Sequence, residues 1–204
     1  MARRARHNVE VIFARLEVQG YLFHSNDDAQ EPVEPFRPPG PEAHALVTWL
    51  EHTFGAVPMI VSSWLRLVGD VWLVGTHPDW PESTRADPLV LELEGSRYSE
   101  ASVREYYEGE LEAWREWSTD DVEAGAFVLP VAPDRLHKAN ISGGGPYGFR
   151  LPDATAEGVF LGEVAMPSAS YLNAVFRSGG FPGQAPGEQQ WRVKQSLADG
   201  LLAL

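Results

Sequence analysis

The sequence predicts a mixed α+β fold, and three observations carry that expectation. Several stretches place apolar residues at helical spacing, and these stretches are separated by short apolar runs of strand length. One of those runs, Val71-Trp72-Leu73-Val74, is apolar on both faces and therefore belongs in the centre of a sheet. No internal repeat and no domain boundary is visible in the 204 residues, so one domain over 1–204 is expected. With 44% apolar or aromatic residues and seven Trp, the chain can bury an ordinary core and is not disordered overall.

In chain order, Val9, Ile12, Phe13 and Leu16 fall at i, i+3, i+4 and i+7, which predicts a helix from about Ala5 to Gln19 with Gly20 as its stop. Tyr21-Leu22-Phe23 either begins a strand or packs as the tail of that helix. Residues 26–41 are acidic and then proline-rich (EPVEPFRPPGP) and read as a surface loop with room to move. A second helix, Glu42 to Phe54, turns Leu46, Trp49, Leu50 and Phe54 inward. Pro58 opens a third, where a missing N–H costs nothing. Its Ile60, Trp64, Leu67 and Val68 are expected to be buried, with Gly69 as a left-handed stop. Val71 to Gly75 is then a strand, THPDWPESTRAD a loop, and Pro88 to Leu93 an antiparallel return.

A long helix is expected from Ser99 to Trp117, with Val103, Tyr107, Leu111 and Trp114 as its inner stripe. Gly109 inside it weakens the helix by about 1 kcal/mol relative to Ala. Its other face and the residues that follow are acidic: Glu105, Glu108, Glu112, Glu116, Asp120, Asp121 and Glu123. Phe127–Val131 and Gly148–Leu151 are strands joined by a tight glycine turn, with Gly158–Leu161 a weaker strand. Ser168–Arg177 and Glu188–Asp199 close the chain as helices.

Composition excludes several function classes. Without cysteine there is no disulfide, thiolate nucleophile, cysteine zinc site or iron–sulfur cluster. A formal charge of −13 repels a phosphate backbone, which argues against nucleic acid as partner and is compatible with a basic protein. No run approaches the ~20 apolar residues of a membrane span, and the basic N-terminus lacks a signal-type apolar run, so a cytoplasmic location is expected.

From Val57-Pro58 to Gly75 the sequence resembles the SUKH superfamily, which includes yeast regulators of cell-wall synthesis and bacterial toxin-immunity proteins. The matching features are Pro58 opening a short helix, Trp64 within it, Gly69 at its end, the strand Val71-Trp72-Leu73-Val74-Gly75, and Trp49-Leu50 in the preceding helix. The resemblance implies a bent, mainly antiparallel sheet with helices packed on one side. It also implies a non-enzymatic protein-binding role, in bacteria often against a toxin domain, exercised through variable surfaces.

Candidate contact residues for such a partner are His77, Asp79, Trp80, Glu105, Glu108, Glu112, Glu116, His137, Asn140 and Tyr147. The acidic residues would speed encounter with a basic toxin or other protein, and Trp80 and Tyr147 would anchor it. A loop Trp such as Trp80 also commonly plugs its own core. The alternative is a small-molecule binder or enzyme that brings His77, Asp79 and His137 together beside the glycine-rich loop 133–152. Against it, two histidines and one aspartate fall short of a complete metal set. The glycine loop has neither phosphate-binding pattern, and Ser142 lacks the hydrolase elbow. No cofactor and no metal is therefore expected.

Overall fold

Gly69 sets the geometry of the N-terminal half. It ends helix α3 (Met59–Leu67) with φ +96°, a conformation that costs any residue with a Cβ. The indole N–H of Trp64 donates to its carbonyl at 2.7 Å. The chain thereby reverses directly into strand β3 (Asp70–Trp72), whose residues are all buried. The carboxylate of Asp70, 2% exposed, accepts from the N–H groups of Leu93 (2.7 Å) and Glu94 (3.0 Å) and so closes the return strand onto β3.

This computed structural model describes residues 1–95, 102–120 and 125–204. The expected helix start at Ser99 and the acidic residues Asp121 and Glu123 lie outside them. Among the described residues are seven helices and nine short strands, all pairings antiparallel, giving an α+β domain around one continuous core. The helices are α1 (Ala2–Val18), α2 (Ala43–Phe54), α3, α4 (Val103–Asp120), α5 (Arg135–Lys138), α6 (Ser168–Arg177) and α7 (Glu188–Ala198).

The strands form three small sheets. β1 (Leu22–Phe23) pairs with β4 (Gly75–Thr76); β2 (Phe36–Arg37), β3 and β5 (Val90–Leu91) form the second. β6 (Phe127–Ala132), β7 (Tyr147–Leu151), β8 (Val159–Leu161) and β9 (Ala165–Pro167) form the third in sequence order. The β1–β4 and β3–β5 pairs each run on by one residue, through His24 N–H to Val74 (3.2 Å) and Leu73 N–H to Leu89 (2.9 Å), and Glu92 N–H to Val131 (2.9 Å) joins the second sheet to the third.

Most expected elements are present at nearly the expected limits, and the exceptions have physical reasons. Val71–Gly75 divides into β3 and β4 because its two ends pair with different partners, β2 and β5 at one end and β1 at the other. Residues 26–41 are not a free loop. Phe36 and Arg37 form an edge strand opposite Val71 and Asp70, the Pro35 carbonyl accepts from Trp72 N–H at 2.7 Å, and the Glu94 carboxylate binds Gly40 N–H. Proline is tolerated there because an edge strand leaves donors unused. Leu67 is 38% exposed, and Val61 and Leu65 take its place in the core.

Between β6 and β7 the expected glycine turn contains α5 instead. Asp134 caps it by accepting from the His137 N–H at 2.8 Å, and Asn140 leaves it at φ +56°. β9 was not expected, since AMP carries no strand pattern; it exists through its pairing with β8.

Gly69→Ala is expected to cost about 3 kcal/mol, from the left-handed backbone and from a Cβ driven into the Arg37 carbonyl. A Cβ at Gly109 meets nothing within 4 Å, so Gly109→Ala in α4 should stabilise by up to about 1 kcal/mol. Urea titrations of the two variants test the contrast; equal midpoints would contradict it.

Candidate functional site

Two neighbourhoods concentrate the unusual chemistry: an open groove along α4, and a buried polar knot beneath the glycine-rich loop.

The groove follows from how α4 is patterned. At 100° per residue, Tyr107, Leu111 and Trp114 point one way, and Tyr107 and Leu111 are buried. Glu105, Glu108, Glu112 and Glu116 point the opposite way and are exposed. A third line, Glu110, Ala113, Trp114 and Trp117, faces β6–β8 across a groove of about 430 Å³. Phe127, Tyr147 and Leu161 lie on its far side. Trp114 is held in place: its indole N–H donates to the Gly125 carbonyl at 3.2 Å, and its ring meets Phe127 edge-on at 5.9 Å. Trp117 is 84% exposed. An apolar ring of that size in water marks a surface awaiting cover.

The four outward glutamates differ in status. Glu105 is committed to the start of its own helix. Its carboxylate accepts from the Ser102 N–H (2.9 Å) and hydroxyl (3.0 Å), while the Ser102 hydroxyl accepts from Glu105 N–H (3.2 Å), a reciprocal cap. The Ser102 N–H and hydroxyl hold that carboxyl below its ordinary pKa. Glu108, Glu112 and Glu116 form an acidic ridge on the side of α4 turned away from the groove.

The knot is centred on Lys138. Its side chain is fully buried, and its ammonium pairs with Asp87 at 2.6 Å and lies 4.8 Å from the centre of the Tyr147 ring. Burial pushes the Lys138 pKa down, and Asp87 offsets part of that. Asp87 sits at φ +56° after a 3-10 turn, Ser83–Ala86, which brings it to α5. The Tyr147 hydroxyl accepts from Arg135 N–H at 3.3 Å, and Arg135 pairs with Glu163. Burial raises the phenols of Tyr147 and Tyr171 above the ordinary tyrosine value. The Tyr171 hydroxyl is buried with no hydrogen-bond partner among the described residues. Burial also pulls the Asp134 carboxyl up, but the His137 N–H, the His137 imidazole and the Gly144 N–H outweigh it and hold the pKa low.

Several expected contact residues are placed differently from the sequence expectation. Trp80 is 1% exposed and packs against Phe181 at 5.7 Å, so it plugs the core and presents nothing to a partner. Tyr147 is 4% exposed; one side lines the groove and the other faces Lys138. His77 is 2% exposed and closes its own loop: Nδ1 accepts from Asp79 N–H at 3.0 Å, which leaves Nε2 to donate to Gln19 at 3.0 Å. Burial lowers its pKa. Asp79 is exposed.

His137 is half-buried, with Nδ1 3.2 Å from Asp134 and its carbonyl accepting from Asn26 at 3.0 Å. Asn140 is exposed and bonds Asp28. His77 and His137 thus share no partner, and neither lines the groove. Among the described residues no group of three His, Asp or Glu is arranged to hold a metal. The convergence required by a His77–Asp79–His137 site is absent from these contacts.

Sequence reasoning passed over Trp117, Glu110 and the Asp87–Lys138 pair. Trp117 was detectable as an aromatic one turn beyond the inner stripe of α4. Nothing local marks residues 87 and 138 as partners.

Comparison with family models, with curated proteins and with solved structures finds no match. No helix among the described residues is long and apolar enough to cross a membrane.

Two outcomes test the knot. Lys138→Met leaves the Asp87 carboxylate buried and unpaired, and should cost about 3–5 kcal/mol, while adding Asp87→Asn should restore most of it. A double variant no more stable than the single one in urea would show that the pair is not the source. Tyr171→Phe should be nearly neutral at pH 7, because the hydroxyl it removes bonds nothing.

At high pH the Tyr171 effect has a definite sign. The folded phenol holds its proton above the unfolded value, so the unfolded chain binds fewer protons. Wild type then loses up to about 1.4 kcal/mol per pH unit above about pH 10, a loss Tyr171→Phe lacks. Parallel stability curves from pH 9 to 11 would refute this.

Proposed function

We propose that this chain is a non-enzymatic protein-binding module that uses the α4 groove and its acidic ridge to cover a basic protein partner. The observation that carries the reading is Trp117, 84% exposed at the mouth of an apolar groove on the helix whose opposite face carries Glu108, Glu112 and Glu116. Trp is enriched at binding hot spots, where a few residues seated against well-packed pockets carry most of the energy, and Trp117 stands beside the packed rings of Trp114, Phe127 and Tyr147. The glutamates add long-range attraction that raises the encounter rate with a cationic surface.

The Val57–Gly75 resemblance to the SUKH superfamily supports an immunity-type role in the cytoplasm, in which the partner is a basic toxin domain occluded by steric cover. The buried positions of Trp80, Tyr147 and His77 move the contact surface of that role from the loops to α4.

The test is affinity purification of the tagged protein from its native host beside two variants, Trp117→Ala and the triple Glu108→Lys/Glu112→Lys/Glu116→Lys. A stoichiometric basic protein should accompany wild type, be lost from both variants, and associate more slowly as salt rises, with little change in dissociation. Recovery of wild type alone, or of the same partner with Trp117→Ala, would overturn the proposal.

A further inference from the structure

We infer that the α4 groove is built to receive a cationic side chain, an arginine or lysine projecting from a basic protein segment, with its charge over the Trp114 and Trp117 rings and against the Glu110 carboxylate. The inference rests on the proposed binding role and adds the chemistry of the contact.

Glu110 decides between a cationic and an apolar occupant. It lines the groove wall, half-buried, one turn from Trp114 and two from Trp117 on the same side of the helix. It has no ion-pair partner among the described residues. The helix arginines, Arg104 and Arg115, project from the other flank, and Arg104 lies over Trp49 at 5.7 Å. An aliphatic side chain entering the groove would strip water from that carboxylate and offer nothing in return, which is costly. A guanidinium or ammonium entering the same space would meet it directly.

The aromatic lining favours the same occupant. Tryptophan is the strongest cation-binding ring, and several aromatic faces around one carboxylate form a cage for a cation. Tyr147 already carries Lys138 at 4.8 Å on its inner side, and Asp87 offsets that charge at 2.6 Å. The faces left for an incoming cation are therefore those of Trp114, held by its bond to Gly125, and Trp117, free to close over the guest. The glutamate ridge and the net charge of −13 attract a basic segment and disfavour an acidic one.

The test uses N-acetyl-arginine amide and its neutral near-isostere N-acetyl-citrulline amide, followed by the indole N–H resonances of the intact protein. The arginine amide should bind saturably in the millimolar range and shift the Trp114 and Trp117 signals, with citrulline amide at least several-fold weaker. Glu110→Gln and Trp117→Ala should each weaken arginine binding several-fold. Trp117 is too exposed for its removal to unfold the chain, and circular dichroism of both variants checks this.

Equal affinity for the two amides, no saturable binding, or shifts confined to other indoles would overturn the inference. So would a concentration-dependent dimer that Trp117→Ala abolishes, since a second copy would then cover the groove. If a partner is captured through Trp117 while arginine amide fails to bind, the binding role stands and the cation site falls. If arginine amide binds as expected while no protein is captured, the reverse holds.

Discussion

The hydrogen bond from the Trp64 indole to the Gly69 carbonyl is the contact on which much of the remaining architecture depends. It fixes the last turn of α3 against a left-handed glycine and aims the chain into β3. From β3 the sheet grows in both directions, to Phe36–Arg37 on one edge and to Val90–Leu91 on the other. β5 then leads on to β6 through the bond from Glu92 to Val131, and β6 forms part of the groove against α4. Gly69 sits so close to the Arg37 carbonyl that only a residue without a Cβ fits, so the turn also sets how near the proline-rich segment lies to α3.

The polar knot and the groove are two sides of one wall. Tyr147 forms part of both, turning one side to Lys138 and the other to the groove. Burying the Lys138 and Asp87 charges is expensive, and a well-packed apolar pair of similar size would often be at least as stable. What the ion pair does here is join two distant segments: the 3-10 turn that ends at residue 86 and the short helix α5. That junction sits directly behind Tyr147. Gly143 and Gly144 are held near it by the Asp134 carboxylate, which sets the path of the loop into the groove rim at Gly145.

The α+β class, most helices and the centrality of Val71–Val74 were legible because they depend on local pattern. The inward residues of α6, Tyr171, Leu172, Val175 and Phe176, are all buried where the periodicity placed them. The expectation missed where a segment's state depends on distant partners. Phe36–Arg37 carries no strand pattern and becomes one because Val71 and Asp70 offer free backbone groups. Trp80 looked like a candidate surface anchor because it stands between prolines, yet Phe181, from the far end of the chain, covers it. α5 was signalled by Pro133-Asp134, a usable helix start, and was hidden by the glycines that follow.

By itself the sequence determined an apolar core of ordinary size, an antiparallel α+β organisation, the helix-to-strand reversal at Gly69 and an acidic face on α4. Each follows from periodicity, glycine stereochemistry or charge carried within a few residues. Only the tertiary structure decided that Trp80 and His77 are interior while Trp117 is exposed, that Lys138 meets Asp87, and that the Glu110–Trp114–Trp117 side of α4 faces Phe127, Tyr147 and Leu161 across a groove. These are contacts between segments up to half the chain apart, and residue type does not encode which distant surface will cover a given side chain.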